Sequence, residues 1–425
     1  MMIRDLLARL HDRGVGLRAE GDELKVRAPK GALTPEEVRL LKEHKPALVA
    51  ELRRAGRWGV EVSGQLERLW YLDRLQPGLT GWVLQGAVRL EGPLRPDLFK
   101  AAVREFVERH DLGRVHLRTA AGRPFLDFAP ETVFSYDELE AADVLADPND
   151  PAALLTWVAD AGRVSIPLDQ PPLIRFTMLR VSDELHLFNI LIHHAIWDGW
   201  GFDICYRDIA ECYAARLEGR APVLPELTAG YGDYVQSQRE RVSGDRARES
   251  ERFWGEALAA PLPDLELVGD HPRPPEVGYG GMRVHFELRD ADLARLRALA
   301  KESHATVFTV VLAAWTAMLH RFTGQEDLIV GVPVQGRHEP RFDEVVGFFV
   351  NTMPIRAHPS PTMTFRALMR QVADRTIAAL DHQDTPFEWL VRRLARRDPS
   401  RTPIFRASTL MRLAYAASAG KRQPR

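Results

Sequence analysis

Apolar residues recur at two different periods along this chain, and the switches between them mark its elements. Ile3, Leu6, Leu7 and Leu10 occupy positions i, i+3, i+4 and i+7, which predicts a helix with one apolar stripe. Gly14 and Gly16 close that helix. Val15, Leu17 and Ala19 then alternate with Gly16 and Arg18, and Leu24, Val26 and Ala28 alternate with Lys25 and Arg27. With the turn Glu20-Gly21-Asp22-Glu23 between them, these runs predict a β-hairpin. Thr34-Pro35-Glu36-Glu37 is a capping box with proline at the first helical position, so a helix is predicted there. Pro46 restarts another, carrying Leu48, Val49 and Leu52. Residues 1–57 therefore read as a small α-β-β-α-α unit.

The remainder alternates strand-like and helix-like segments. Leu98 to Val107 is helical by period. Leu185 to Ile192 is a nearly continuous apolar run, which suits a strand buried on both faces, and Phe202 to Leu217 reads as the helix after it. Prolines thicken between 221 and 280 (Pro222, Pro225, Pro261, Pro263, Pro272, Pro274, Pro275), predicting a segment that bridges two lobes. The lobes are expected at 60–230 and 231–425.

Composition narrows the class. A chain of 425 residues with 45% apolar and 27% charged residues suits two or three globular domains. The net charge of −2 argues against a nucleic-acid binder. No apolar run approaches 18 residues and the N-terminus has no signal-like stretch, so a cytoplasmic protein is expected. Cys205 and Cys212 share a helix face but stand too far apart for a disulfide, and read as small packing residues.

Candidate chemistry concentrates in His193-His194-Ala195-Ile196-Trp197-Asp198-Gly199, directly after the buried strand. Successive strand residues point to opposite faces, so one histidine can face a cavity while the other packs inside. Asp198 can fold back in the turn, and Gly199 is expected to supply a backbone angle that the turn needs. Adjacent histidines at a strand end diverge, and no third ligand cluster with zinc-like spacing accompanies them, so no metal is expected. On the string alone, a buried histidine satisfied by hydrogen bonds stands as the alternative. In residues 1–57 there are 13 Lys or Arg against 9 Asp or Glu. Lys25, Arg27 and Lys30, on or just past the second hairpin strand, can read an acidic peptide added to that edge, or are simply solvated.

Two resemblances bear on these alternatives. The first unit, with Arg-Ala-Pro-Lys-Gly-Ala-Leu-Thr-Pro-Glu at 27–36, resembles the N-terminal docking domains of the tubulysin-synthetase type. The resemblance implies capture of the C-terminal tail of an upstream synthetase subunit. The string at 193–199 resembles the HHxxxDG signature of nonribosomal peptide synthetase condensation domains. Ser63–Trp70, Arg109-His110-Asp111 with Arg114, Tyr231–Tyr234, Val346–Thr352, His382–Phe387 and Arg397–Pro403 resemble that family's other motifs in order. The implied fold is an α/β (α+β), two-lobed, chloramphenicol-acetyltransferase-like V-shaped pseudodimer with a tunnel. The implied reaction joins a donor acyl or peptidyl thioester to the amine of an acceptor aminoacyl thioester. Both would arrive on phosphopantetheine arms of carrier proteins, with no cofactor bound directly.

By the same resemblance His194 faces the tunnel, with His193 beside it. Asp198 forms a structural salt bridge for which Arg337 is the candidate partner, and the Gly199 N–H approaches the carbonyl oxygen. Trp197 and Asn351 are expected to shape the tunnel. The sequence departs from the family pattern at Gln65-Leu66, at Gly113-Arg114-Val115 and at Gly201, where serine is frequent. The family pattern also continues beyond Phe405 with strands and a helix, so a shortened second lobe is expected. A non-catalytic recruitment module is an alternative on that ground, and an epimerisation domain is another because it shares the signature.

Overall fold

The structure is a computed structural model. It describes residues 6, 9–10, 15–20, 22–28, 31–54, 60–120, 122–129, 131–267, 269–270, 282, 284, 287–394 and 403–410.

At the N-terminus, helical Leu6 and Leu10 are fully buried beneath a two-stranded antiparallel sheet. Its strands are β1 (Gly16–Glu20) and β2 (Glu23–Arg27), in register Leu17 opposite Val26 and Ala19 opposite Leu24. Helix α1 (Pro35–Glu43) starts at a complete capping box. Thr34 Oγ1 accepts from the Glu37 N–H at 3.2 Å, and the Glu37 carboxylate accepts from the Thr34 N–H at 2.9 Å. With α2 (Lys45–Arg54), these elements enclose Leu6, Leu10, Val15, Leu17, Leu41 and Leu48. So few apolar side chains make a marginal core, and the hairpin leaves both strand edges open among the described residues.

Next come β3 (Val60–Glu61), α3 (Gly64–Leu75), β4 (Val83–Glu91), α4 (Pro96–Arg109), β5 (Val115–Ala120) and β6 (Arg123–Phe128). They are followed by β7 (Tyr136–Glu140), α5 (Ala141–Val144), α6 (Pro151–Ala161), β8 (Ile174–Ser182), β9 (Leu185–His193), α7 (Gly199–Glu218) and α8 (Tyr231–Arg241). Two sheets form, in the orders β4-β9-β8-β7 and β3-β6-β5. Strand β9 lies between β4 and β8, and its residues 186–193 are all buried. That is why six of the eight residues from Leu185 to Ile192 are apolar instead of every second one. Helix α7 packs along α4, where Phe99 meets Tyr213 edge-on at 5.6 Å and Arg216 pairs with Glu105.

The C-terminal elements are α9 (Gly244–Ala257), α10 (Asp290–Glu302), α11 (Val307–Thr323), β10 (Leu328–Val334), β11 (Asn351–Ala357), α12 (Phe365–Leu380), α13 (Phe387–Leu394) and β12 (Ala407–Ser408). Strand β10 is central, antiparallel to β11 and parallel to β12. A Cβ on Gly331 in β10 would stand 2.4 Å from the Phe405 ring, so glycine lets the chain entering β12 lie directly on the strand. Trp254, Leu312, Val330, Ile355, Val372 and Leu390 belong to this core.

By internal contacts the chain divides into Met1–Arg239 with Arg337–Phe349, and Glu240–Gly336 with Val350–Arg425. The first unit thus includes a segment from far down the chain, and its boundary differs from the expected lobes at 60–230 and 231–425. The proline-rich stretch at 221–280, read as a bridge, is also more than a linker. It contains α8, whose Tyr234 and Val235 are buried in the first core, and α9, whose Trp254 is buried in the second. Prolines flank these helices instead of interrupting them. Among the described residues no single helix is long and apolar enough to cross a membrane.

Candidate active site

Strand β9 ends at His193, and a short 3₁₀ turn over His194–Ile196 leads into α7. The two histidines have opposite fates. His193 is 1% exposed, and its Nδ1 accepts the Ala195 N–H at 3.0 Å, so its ring proton is on Nε2. Burial, with the neighbouring His194 adding to it, lowers the pKa of His193 from 6.5 to about 3. His194 is only half-buried, with its ring edge-on to Phe348 at 4.8 Å between centroids. Its Nδ1 lies 2.6 Å from the Trp197 carbonyl oxygen. A carbonyl only accepts, so Nδ1 carries the proton and the Nε2 lone pair is left for another partner.

The lowered pKa of His193 has a measurable sign. Between 6.5 and about 3 the unfolded chain holds a proton on this ring that the folded chain does not. His193 therefore favours folding fully above the unfolded pKa, and the advantage is lost as pH falls through that window. His193→Asn keeps an acceptor for the Ala195 N–H and does not titrate. Its stability between about pH 6 and pH 4 is expected to fall less steeply than the parent's, by up to about 1.4 kcal/mol per pH unit. Urea unfolding at stepped pH measures this, and parallel curves would refute it.

Asp198 is completely buried and caps α7. Its Oδ1 accepts the N–H groups of Trp200 at 3.1 Å and Gly201 at 3.3 Å. Its Oδ2 accepts from Arg337 at 2.9 Å and from the Phe349 N–H at 3.2 Å. The Arg337 guanidinium also donates to the Val345 carbonyl and stacks over the Phe349 ring at 3.9 Å. Trp200 donates its indole N–H to the Asp343 carbonyl at 2.9 Å, and Arg207 pairs with Glu344 at 2.5 Å. The start of α7 is thus fastened to residues 337–349 at four places, and the Asp198 carboxylate is fully occupied by protein groups.

Three expectations for side chains here are corrected. Trp197 is 0% exposed, enclosed by Phe106 at 6.2 Å and Phe202 at 5.4 Å between centroids, so it is a core residue and lines no channel. Asn351, expected at the tunnel, is 3% exposed in the second unit. Its amide donates to the Gln383 and Thr385 carbonyls, both at 2.7 Å, and accepts the Phe387 N–H at 3.0 Å. Both of its N–H donors and its carbonyl oxygen serve the turn before α13. Gly199 has no left-handed φ, so no turn angle requires glycine there; a Cβ on it would meet nothing within 4 Å.

Motif residues within the first unit are tied into its core around this turn. Ser63 caps α3 and lies 3.4 Å from the Tyr231 hydroxyl, which donates to the Phe348 carbonyl at 2.8 Å. Gln65, at a departure position, is buried and accepts from Gln238 at 3.3 Å. His110 and Arg109 approach the buried Asp208 of α7 at 3.2 and 3.3 Å, and burial lowers the pKa of His110. Arg114 pairs with Asp111 at 3.0 Å. Sequence reasoning misses Asp208, because nothing in its own helix marks it as the centre of this network. Ala195, Ile196, Tyr231 and Gly347 line a cavity of about 250 Å³, and His194 does not. In the docking unit Lys25 is exposed, Arg27 lies on β2, and Lys30 is outside the described residues, as are 397–402 of the last motif.

Residues 61–416 match the condensation domain family, and residues 3–54 match the TubC N-terminal docking domain. The chain belongs to the condensation domain family. It is a condensation domain of the nonribosomal peptide synthetase type, preceded by a docking domain. It is similar to one of the plipastatin synthase subunits of Bacillus subtilis (strain 168), 34% identical over 352 residues, covering 82% of this chain and 13% of that protein. It is also similar to bacitracin synthase 3 of Bacillus licheniformis, 32% identical over 345 residues, covering 81% of this chain and 5% of that protein. The chain therefore spans only a small part of these relatives. Its fold is chloramphenicol-acetyltransferase-like. A four-domain nonribosomal peptide synthetase bound to AMP and glycine aligns with a TM-score of 0.72 at 23% identity, over 83% of this condensation domain chain and 26% of that one. The first condensation domain of the calcium-dependent antibiotic synthetase, in complex with a substrate analogue, aligns at 0.68 and 22% identity, over 83% and 80%.

Proposed function

We propose that this condensation domain joins a donor acyl thioester to the amine of an acceptor aminoacyl thioester, with His194 Nε2 receiving the amine proton. Its main support is the hydrogen bond from His194 Nδ1 to the Trp197 carbonyl, which places the lone pair of the neutral ring on Nε2 of a partly exposed side chain. The amine nitrogen bonds to the donor carbonyl carbon, and the carbon–sulfur bond breaks. The amine proton passes through His194 to the departing thiolate, leaving a free thiol on the donor arm and a longer amide on the acceptor arm. A thioester is already activated, so positioning of two tethered reactants supplies much of the rate, roughly 7–11 kcal/mol in favourable cases. The Gly199 N–H, at the N-terminus of α7, is the candidate donor to the oxygen that gains charge, since the Asp198 caps go to the next two residues.

Both substrates would arrive on phosphopantetheine arms of carrier proteins, the donor being aminoacyl, peptidyl or polyketide-derived. Free, buried Cys205 and Cys212 fit a reducing cytoplasm. The reaction is tested by mixing loaded donor and acceptor carriers with the protein and weighing the acceptor intact. A mass gain equal to the acyl group is expected, and its absence at saturating carriers would refute the reading.

The docking domain would recruit an upstream synthetase through that partner's acidic C-terminal tail, laid along the open edge of β2. Lys25→Glu with Arg27→Glu is then expected to weaken binding of a labelled acidic tail peptide about tenfold, from two charge contacts reversed in sign. Fluorescence anisotropy reads the change. A dissociation constant that ignores both substitutions and salt would rule out charge reading on this strand.

A further inference from the structure

Trp197 and Gly201 occupy one volume. A Cβ built on Gly201 would stand 2.7 Å from Trp197 Cε2, 2.8 Å from Cδ2 and 3.0 Å from Nε1, distances that real side chains do not tolerate. Neither partner has room to retreat. The indole is 0% exposed, with Phe106 and Phe202 edge-on to it. The Gly201 backbone is held by Asp198, whose Oδ1 and carbonyl oxygen both accept its N–H, at 3.3 and 3.1 Å. The glycine that departs from the family pattern at 201 and the bulky residue before the aspartate are one packing solution.

The same tryptophan carries the carbonyl that accepts from His194 Nδ1 at 2.6 Å. The indole and this carbonyl hang on one Cα, so displacing the ring displaces the acceptor. We propose that Trp197 and Gly201 are a matched pair of positioning residues that fixes the tautomer and place of the His194 ring. Neither touches substrate. Their effect passes through the 197 carbonyl, which keeps the proton on Nδ1 and the lone pair on Nε2.

This inference rests on the proposed condensation reaction for its kinetic readout but not for its structural one. The test uses the full chain labelled with ¹⁵N-histidine, with the His194 resonances assigned by their loss in His194→Ala. In the parent protein His194 is expected in the Nδ1–H form. Gly201→Ala should shift it toward the Nε2–H form and lower kcat on the order of 10²-fold, the cost of an ångström-scale misplacement, with KM for the loaded carriers little changed. Trp197→Leu with Gly201→Ala vacates the contested volume and should restore the Nδ1–H signal and most of kcat, a non-additive outcome. If the single variant fails to fold and the double variant folds with the Nδ1–H signal, the pairing is supported. If Gly201→Ala leaves the tautomer unchanged, or if the double variant fails to recover it, the proposal is overturned. A tautomer that responds as described in a protein that makes no amide supports the pair and removes the proposed reaction.

Discussion

Replacing His194 by alanine is expected to lower amide formation ~10²–10⁴-fold, the range a positioned proton acceptor supplies, while the protein stays folded. The ring is half-buried and donates to the carbonyl of fully buried Trp197, so its removal takes the donor from that acceptor at a cost of about 1–3 kcal/mol, too little to unfold a stable domain. The deficit should lie in kcat, because the imidazole acts on the amine as the tetrahedral centre forms and contributes little to carrier capture. Intact-mass time courses with loaded carriers measure it, with a thermal scan of the same sample as the control. An alanine variant as fast as the parent would remove the imidazole from the chemistry and leave orientation alone to account for the rate. His193→Asn, by contrast, should retain turnover, since His193 is sealed beneath the strand end.

Arg337→Ala is expected to destabilise the first unit by about 3–5 kcal/mol, the usual cost of stranding one half of a buried pair. Both side chains are 1% exposed, so solvent cannot replace the guanidinium. Three backbone N–H groups, from Trp200, Gly201 and Phe349, would still face the Asp198 carboxylate, but its counter-charge would be gone. Asp198→Asn combined with Arg337→Met removes both charges and should recover part of the loss. Denaturant midpoints for the single and double variants give the coupling directly. An Arg337→Ala protein with the parent's midpoint would show that backbone donors alone hold the carboxylate. Loss of activity in Asp198→Ala reports this destabilisation together with any chemical effect, so His194 is the better residue for isolating the chemistry.

Much of this organisation is legible in the sequence where periodicity is local. The Leu185–Ile192 run announces a central strand because only a strand covered on both faces gains from apolar residues at six of eight successive positions. The capping box at Thr34 announces α1 because its two hydrogen bonds lie within four residues. Strand alternation anticipates the divergence of His193 and His194, although in the structure His193 ends the strand and His194 diverges by opening the 3₁₀ turn. Arg337, in contrast, stands 139 residues from Asp198, and only family resemblance joins the two. Trp197 and Asn351 are expected near substrate because their motifs surround the catalytic string. Proximity along the chain does not reveal that one packs against Gly201 and the other ties down the 383–387 turn. The proton position on His194 is also hidden, since it depends on a carbonyl three residues away whose direction only the turn geometry sets.

The segment 337–349 reaches the first unit late in synthesis as well as late in sequence. A nascent chain has Asp198 in hand long before the ribosome delivers its guanidinium, and Phe342, Val345, Val346 and Phe349 emerge only afterwards to fill the same core. The first half of the protein is therefore not a self-sufficient translation product. A fragment released before residue 337 would carry a carboxylate without its counter-charge beneath an unfilled apolar hollow, and chaperones and proteases would meet it in that state.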